Sequence, residues 1–184
     1  DITSNKMHEH FAKKVGLDLT QHGTASFETM LDTLAEFIPN ALIYIGRYKM
    51  ESNGFSYLAH KGENYDANIF SEIQLSASVF YHNQWTWLNR IQVLKQEFKN
   101  FIAQYKAEQM GGIILSDDEG TPLGTILVIQ KKETELNPLV LDFLSMLSVR
   151  MRSEFEHVKD QKLIKKSLDR YHAFIGRSNE AILD

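Results

Sequence analysis

Two apolar runs separated by a short polar turn constrain the fold of this chain more than any other feature. The first run begins at Gly112, the second covers 123–131, and the turn between them reads Ser116-Asp-Asp-Glu-Gly120. Aspartate and glycine are typical of tight turns, because aspartate caps its own backbone and glycine adopts the left-handed conformation. The pattern predicts antiparallel strands over 112–117 and 123–131.

A second hairpin is indicated by Asn53-Gly54, since both residues tolerate the positive φ that tight hairpin turns require. An apolar run rich in isoleucine and tyrosine precedes this pair and predicts a strand over 41–49, with its partner over 54–60. Further strands are predicted over 69–75 and 85–88.

One-sided apolar stripes predict helices on both flanks of these strands. One helix is predicted over 26–38 and ends at Pro39, and another begins near Pro138, extends over 137–165 and contains no further proline or glycine. Shorter apolar stripes predict helices over 2–15 and 90–106. The order of helix, two strands, mixed segment, two strands and long helix is typical of an α+β fold with antiparallel pairing.

Composition excludes several classes of function. The net charge is −4 with a pI near 6.0, so the overall charge of the chain does not indicate binding to nucleic acid or to an anionic membrane surface. The absence of cysteine excludes thiol nucleophiles, thiolate metal sites and a covalently attached bilin. No apolar run is long enough to cross a bilayer, so we expect a cytoplasmic protein with no membrane contact.

No motif in the chain carries recognisable chemistry. The seven histidines do not stand at ligand spacing with carboxylates, so no metal site is predicted. The carboxylates Asp117, Asp118 and Glu119 are interpreted as a solvated turn. The pair Gly111-Gly112 lacks the further glycine of a dinucleotide loop and gives only a weak indication of phosphate binding. We therefore predict no catalytic residue.

Three segments resemble the GAF family of sensory domains over about residues 24–158. These are Phe27-Glu-Thr-Met-Leu-Asp-Thr-Leu-Ala-Glu-Phe-Ile, Asp118-Glu-Gly-Thr-Pro-Leu-Gly-Thr-Ile-Leu-Val-Ile and Leu139-Val-Leu-Asp-Phe-Leu-Ser-Met-Leu-Ser-Val-Arg. The resemblance implies a six-stranded antiparallel sheet with the terminal helices on one face. It also implies a small-molecule pocket on the other face, covered by loops and a helix.

The chain on either side of this region is expected to have a separate role. Residues 1–23 are interpreted as an N-terminal helix and linker, and 159–184 as a signalling helix. The stretch from Ser167 to Asp184 resembles the beginning of a PAS domain. We therefore expect the chain to be a piece of a longer protein in which a PAS domain and an output domain follow.

Four aromatic residues are the candidate ligand contacts, and we expect them on the face opposite the terminal helices. Trp85 and Trp87 stand two apart, so they share one face of a strand, and Phe80 and Tyr105 flank them in the longest irregular segment. Their rings would stack on a planar ligand. The alternative is a plain apolar core in which the indole N–H groups find local partners.

Apolar spacings of three and four in the last helix predict a dimer seam. Gln161 and Lys162 interrupt it, and apolar residues resume it further on. The predicted interface consists of Leu144, Leu147, Met151, Phe155 and Val158, resumed by Ile164, Leu168 and Tyr171. We expect a parallel homodimer through the terminal helices, with help from Met7, Phe11 and Val15. The alternative is a linker helix that is ordered only in the full protein.

The sequence thus predicts a non-catalytic sensory domain that binds an unknown small molecule, dimerises and passes a signal to a downstream domain. The resemblance names no cofactor. Two alternatives remain open: a dimerisation scaffold without a ligand, and an enzyme with an unrecognised site.

Overall fold

The computed structural model describes residues 24–62, 80–89 and 105–180. These residues form two helices and five strands, joined in part by a short 3-10 turn at Met50–Ser52. The elements in chain order are α1 (Thr24–Phe37), β1 (Leu42–Lys49), β2 (Gly54–Lys61), β3 (Thr86–Asn89), β4 (Gln109–Ser116), β5 (Pro122–Gln130) and α2 (Pro138–Glu180).

The strands form one antiparallel sheet in the order β2-β1-β5-β4-β3. The α+β class and the antiparallel pairing are therefore confirmed. The described residues contribute five strands, whereas six were expected. The strand predicted over 69–75, the helix predicted over 2–15 and most of the helix predicted over 90–106 lie outside the described residues.

Both predicted hairpin turns form, although at the first turn only Asn53 adopts a positive φ and Gly54 already begins β2. Asn53 adopts the left-handed conformation with a φ of 46°. At the other turn, the carboxylate of Asp117 accepts hydrogen bonds from the backbone amides of Glu119 (3.1 Å) and Thr121 (2.8 Å). Gly120 completes that turn with a φ of 82°. Local chemistry thus determines where the strands reverse.

The sheet separates two apolar layers. Side chains that alternate along the strands face α1 and α2 on one side of the sheet and point to its opposite side on the other. The helix-side layer includes Phe27, Leu31, Leu34, Ile43, Ile45, Ile113, Leu115, Ile126, Val128, Phe143, Leu144, Leu147, Met151 and Phe155. The second layer includes Leu42, Tyr44, Phe55, Phe80, Tyr105, Met110, Ile114, Leu127 and Ile129. Both helices therefore lie on one face, as predicted.

Helix α2 is much longer than the sheet that it covers. Its 43 residues span about 65 Å at 1.5 Å per residue. It continues without a break past 158, where the sensory domain was expected to give way to a signalling helix, and past 165, the last residue of the predicted range. The stretch that resembles the beginning of a PAS domain is helical from Ser167 to Glu180.

Candidate functional site

Phe80 and Tyr105 lie on the sheet face away from the helices, as expected for candidate ligand contacts. Both side chains are buried, and they pack with Met110, Ile114 and other members of the second apolar layer. The Lys131 ammonium lies 5.0 Å from the centre of the Tyr105 ring, a cation–π contact. These two residues stand where the described chain resumes after 63–79 and 90–104, so they border the segments expected to enclose a pocket.

Tyr44 brings a fully buried hydroxyl group into this mainly apolar layer. Its side chain is fully buried, and its ring lies 6.1 Å from that of Tyr57. Burial raises the pKa of the Tyr44 hydroxyl far above its ordinary value, and the neighbouring Tyr57 adds to this rise. The group therefore stays neutral at physiological pH and can both donate and accept a hydrogen bond.

Gly112 provides the space that the Phe80 ring occupies. A Cβ atom at this position would lie 2.5–2.7 Å from three carbon atoms of that ring, well inside van der Waals contact. Its neighbour Gly111 has the same role on the opposite face, where a Cβ atom would overlap the Trp87 ring. The pair of glycines, a weak indication of phosphate binding in the sequence, thus makes room for two aromatic rings.

The expected position of the two tryptophans is wrong. Trp87 pairs with Gly111 in the β3–β4 ladder, and this register turns its ring toward the helices, with Trp85 beside it. Their rings stack on each other at a centroid distance of 5.8 Å, and Trp85 Nε1 donates a hydrogen bond to the Leu144 carbonyl in α2 at 3.1 Å. Trp85 and Trp87 therefore attach β3 to α2, and Phe80 and Tyr105 alone remain on the candidate ligand face.

The residues next to Phe80 are clamped onto the end of β4. The Asn83 side chain accepts a hydrogen bond from the Ser116 amide (2.9 Å) and donates one to the Ser116 carbonyl (3.2 Å). The Asn83 amide also donates to the Ile114 carbonyl at 2.7 Å, and His82 Nδ1 contacts the Ser116 hydroxyl. These contacts attach the segment that follows Phe80 to Ser116, the residue that precedes the β4–β5 turn.

Two ion pairs connect that turn to α2. Lys159 donates a hydrogen bond to Asp117 at 2.9 Å, and Arg152, which also pairs with Glu156, donates one to Asp118. The Lys159 hydrogen bond is the main reason that the pKa of Asp117 lies below its ordinary value. The turn carboxylates were expected to be merely solvated. Arg152 and Lys159 stand seven residues apart and therefore share a helix face. This spacing in the sequence could have indicated that both side chains reach the same acidic turn.

Solved structures share this architecture at low sequence identity. The GAF domain of a phosphoenolpyruvate-protein phosphotransferase from Coxiella burnetii matches with a TM-score of 0.67 at 12% identity, over 88% of this chain and 98% of that domain. The chain has the GAF fold. A domain of a two-component sensor histidine kinase from Sinorhizobium meliloti 1021 matches with a TM-score of 0.64 at 9% identity, over 79% and 99% of the two chains.

The GAF domain of a sensor histidine kinase from Pseudomonas syringae pv. tomato gives a TM-score of 0.61 at 13% identity. That match covers 91% of this chain and 96% of the other. No family model matches the sequence, and no curated protein is similar to it. The structural matches establish the GAF fold. Because the sequence identities are low, function must be argued from the site.

The expected dimer seam is part of the core of this GAF fold. Leu144, Leu147, Met151 and Phe155 are at most 3% exposed and pack against the sheet and α1. The Phe155 ring lies 4.7 Å from that of Phe27, centre to centre. These four residues are therefore buried within the domain itself, and their expected place in a dimer interface is wrong. Apolar residues that recur about every 3.5 positions lie on one face of a helix and pack against a neighbouring element. In this domain the neighbouring element is its own sheet.

The outer face of α2 carries a separate apolar stripe that remains exposed. Met146 and Val149 lie on it beside the sheet, and Ile164, Leu168 and Tyr171 continue it along the extension. The last three side chains are 61%, 52% and 60% exposed. Val158, the fifth residue of the expected seam, is half-buried and lies where the helix leaves the sheet.

Within 24–62, 80–89 and 105–180, no group of three or more histidine and carboxylate side chains could hold a metal ion. Nor does any helix in these ranges combine the length and the apolar character needed to cross a membrane.

Proposed function

We propose that this chain is a non-catalytic sensory domain. In this proposal, a small molecule binds on the sheet face away from the helices, and a dimer formed along α2 relays its presence to a domain that follows. One observation carries the proposal. Helix α2 is a core element of the GAF fold, and it continues for about 25 residues beyond Phe155, its last core residue. A change in the packing of the sheet therefore has a rigid element through which to act.

The ligand face is supported by its chemistry. It offers the aromatic rings of Phe80 and Tyr105 and the neutral hydroxyl of Tyr44 within an apolar layer. Ligand sites in proteins are typically apolar with a few convergent polar groups. These features favour a planar or mainly apolar ligand with at least one hydrogen-bonding group.

The relay is supported by an unbroken series of contacts. Two residues of chain separate Phe80 from Asn83. Asn83 is hydrogen-bonded to Ser116, and Asp117, which follows Ser116, is paired with Lys159 on α2. A ligand that displaces Phe80 would shift the turn, and the turn would shift α2. Because such a ligand must bind the two helix arrangements with different affinity, its effect is a change in their populations.

The dimer is supported by the exposed stripe on the extension. Ile164, Leu168 and Tyr171 stand at spacings of four and three, the pattern of a two-stranded coiled coil. Contiguous exposed apolar residues on a helix typically mark an interaction surface. The parallel arrangement, the downstream PAS domain and the output domain are parts of the same proposal.

A non-catalytic role is supported by the state of the one serine–histidine pair that the described residues contain at hydrogen-bond distance. The Ser116 hydroxyl contacts His82, but Ser116 is completely buried and its backbone is held by Asn83. A nucleophile must reach a substrate atom, and this hydroxyl lacks that access. In the adjacent turn, Asp117 and Asp118 are paired with Lys159 and Arg152 of α2.

The ligand proposal is tested by native mass spectrometry of the purified protein, followed by identification of any retained molecule. We expect a retained mass that Tyr105→Ala and Phe80→Leu diminish. Trp85→Phe should leave it unchanged, because Trp85 lies on the other face. Loss of the retained mass in Trp85→Phe alone would contradict the assignment of the face, and a dimer that retains nothing and responds to no added ligand would favour the scaffold alternative.

The dimer proposal is tested by solution mass. We expect the double variant Ile164→Glu with Leu168→Glu to be monomeric at a concentration where the unmodified chain is dimeric. Arg170→Glu changes the net charge by the same amount on the same helix but lies outside the apolar stripe, so this variant should remain dimeric. A monomeric unmodified chain, or a dimer indifferent to the first double variant, would contradict the proposal.

A further inference from the structure

A groove on the helix side of the sheet is distinct from the candidate ligand face. It has a volume of about 270 Å³ and lies where α2 leaves the sheet, between the helix, the end of β1 and the beginning of β5. Arg47 faces this side because it pairs with Gly124, whose missing side chain makes room for Phe155 of α2. The groove and the Phe80 face are thus separated by the sheet itself.

The floor of this groove is apolar. Leu123 and Phe155 are buried beneath it, Val158 is half-buried in its wall, and Met50 and Leu163 are exposed at its rim. The exposure of Met50 and Leu163 leaves hydrocarbon surface that a ligand would remove from water, and this burial is the main source of affinity for an apolar group.

Four basic side chains surround the floor, and none of the residues that line the groove is acidic. They are Arg47, Lys159, Lys162 and Lys166. Spacings of three and four place the three lysines on one face of α2. Lys159 pairs with Asp117, whereas the other three make no ion pair with any residue in the described ranges. Because the whole chain has a net charge of −4, this cluster is a local feature and not part of a generally basic surface.

We propose that the groove binds a small single-tailed anion, with its carboxylate or phosphate group at Lys162, Lys166 and Arg47 and its alkyl tail on the apolar floor. An anionic head satisfies the cations, and an alkyl tail covers the exposed floor, so the two features together select an amphiphile. Such a ligand would contact α2 and the end of β1 at the same time. It would therefore brace the base of the helical extension, independently of any ligand at Phe80.

The test uses alkyl carboxylates as probes below the concentration at which they form micelles. Binding of butanoate, octanoate and decanoate to the full chain is measured by calorimetry, and the site is mapped from backbone amide chemical shifts. We expect affinity to rise about two- to fourfold per added methylene. We also expect shifts at 158–166 and near Arg47. Decyl phosphate in place of decanoate identifies the preferred head group.

Matched variants test the role of the charges. Lys162→Gln with Lys166→Gln should weaken decanoate binding about threefold to tenfold, as expected for the loss of two exposed ion pairs. Lys132→Gln with Lys165→Gln removes the same charge outside the groove and should leave the affinity unchanged. The cationic probe decyltrimethylammonium should not bind.

Three results would overturn the proposal. The first is equal binding of decanoate and decyltrimethylammonium, which would indicate apolar adsorption. The second is a decanoate affinity that the groove variants leave unchanged, or shifts confined to the Phe80 and Tyr105 face. The third is a solution mass that falls in Lys162→Gln with Lys166→Gln, which would assign the groove to a second copy of the chain. Shifts on the Phe80 face would support the ligand face proposed above while overturning this one, so the two failures are distinguishable.

Discussion

The replacement Gly124→Ala tests how tightly α2 is seated on the sheet. A Cβ atom at Gly124 would lie 2.5 Å from the Phe155 ring and 2.7 Å from the carbonyl oxygen of Gly46. Ordinary carbon contacts are about 3.5–4.0 Å, so the ring must retreat by about 1 Å. The carbonyl belongs to the neighbouring strand β1 and cannot retreat without disturbing the β1–β5 ladder. Overpacking of this kind costs about 1–3 kcal/mol.

Gly54→Ala is the matched control. A Cβ atom at Gly54 would meet nothing closer than 3.8 Å, and the replacement should be neutral or stabilising by up to about 1 kcal/mol through the unfolded chain. For a domain of this size, 1 kcal/mol shifts the melting temperature by about 2–4 °C. We therefore expect calorimetry to place Gly124→Ala about 2–12 °C below the unmodified chain and Gly54→Ala level with it or slightly above it.

A double-mutant cycle locates the cause of that loss. If the Cβ atom collides with the Phe155 ring, Gly124→Ala combined with Phe155→Leu will cost less than the sum of the two single replacements. Equal melting temperatures for Gly124→Ala and Gly54→Ala, together with additive effects in the cycle, would refute the close seating of α2 on β5.

Two further predictions concern the contacts around the candidate site. Trp85→Phe should lower the free energy of unfolding by about 1 kcal/mol more than Trp87→Phe in denaturant titrations. The reason is that Trp85 Nε1 donates a hydrogen bond, whereas Trp87 Nε1 has no acceptor among the described residues. The reverse ranking would refute the role of the Trp85 hydrogen bond in attaching β3 to α2. The pKa of Asp117 is depressed, so its contribution to stability is present above its ordinary value of 3.8 and is lost as pH falls below it. Asp117→Asn and Lys159→Gln should both flatten the acid loss of stability below about pH 3.8, and an unchanged acid profile in both variants would contradict the ion pair.

The elements that the sequence predicts correctly are those fixed by neighbouring residues. Asn53 and Asp117 determine their turns through their own backbone angles and hydrogen bonds, so both hairpins were predicted within a few residues. Pro39 likewise limits α1, which ends at Phe37. The order of these elements was sufficient to indicate the α+β class.

The face on which an aromatic residue lies depends on contacts between distant residues. Trp85 and Trp87 share a strand face by simple alternation, but the pairing of Trp87 with Gly111 decides which face it is. The sequence pattern around the two tryptophans does not show which residue of β4 pairs with Trp87. The glycine pair was the available signal, because a strand glycine often marks the close approach of a neighbouring group.

The helical stripes show the same limitation. The spacing of Leu144, Leu147 and Met151 is equally suited to a sheet and to a partner helix, so periodicity identified the stripe and misidentified what it packs against. The position of the sheet along α2 resolves the ambiguity. Residues before Phe155 lie over the sheet, whereas Ile164 and those that follow lie beyond it and keep their exposed apolar face.

The most direct test of the account is a distance measured between the two α2 helices of the proposed dimer. Because the chain has no cysteine, Ser167→Cys introduces a single spin label on the exposed part of the extension. Pulsed electron resonance then gives the distance between labels in three backgrounds: unmodified, Gly112→Ala, which displaces Phe80, and the control Gly54→Ala. The account predicts an unchanged solution mass and a shifted distance distribution in Gly112→Ala alone. Identical distributions in all three backgrounds would contradict the coupling of the Phe80 face to the helical extension.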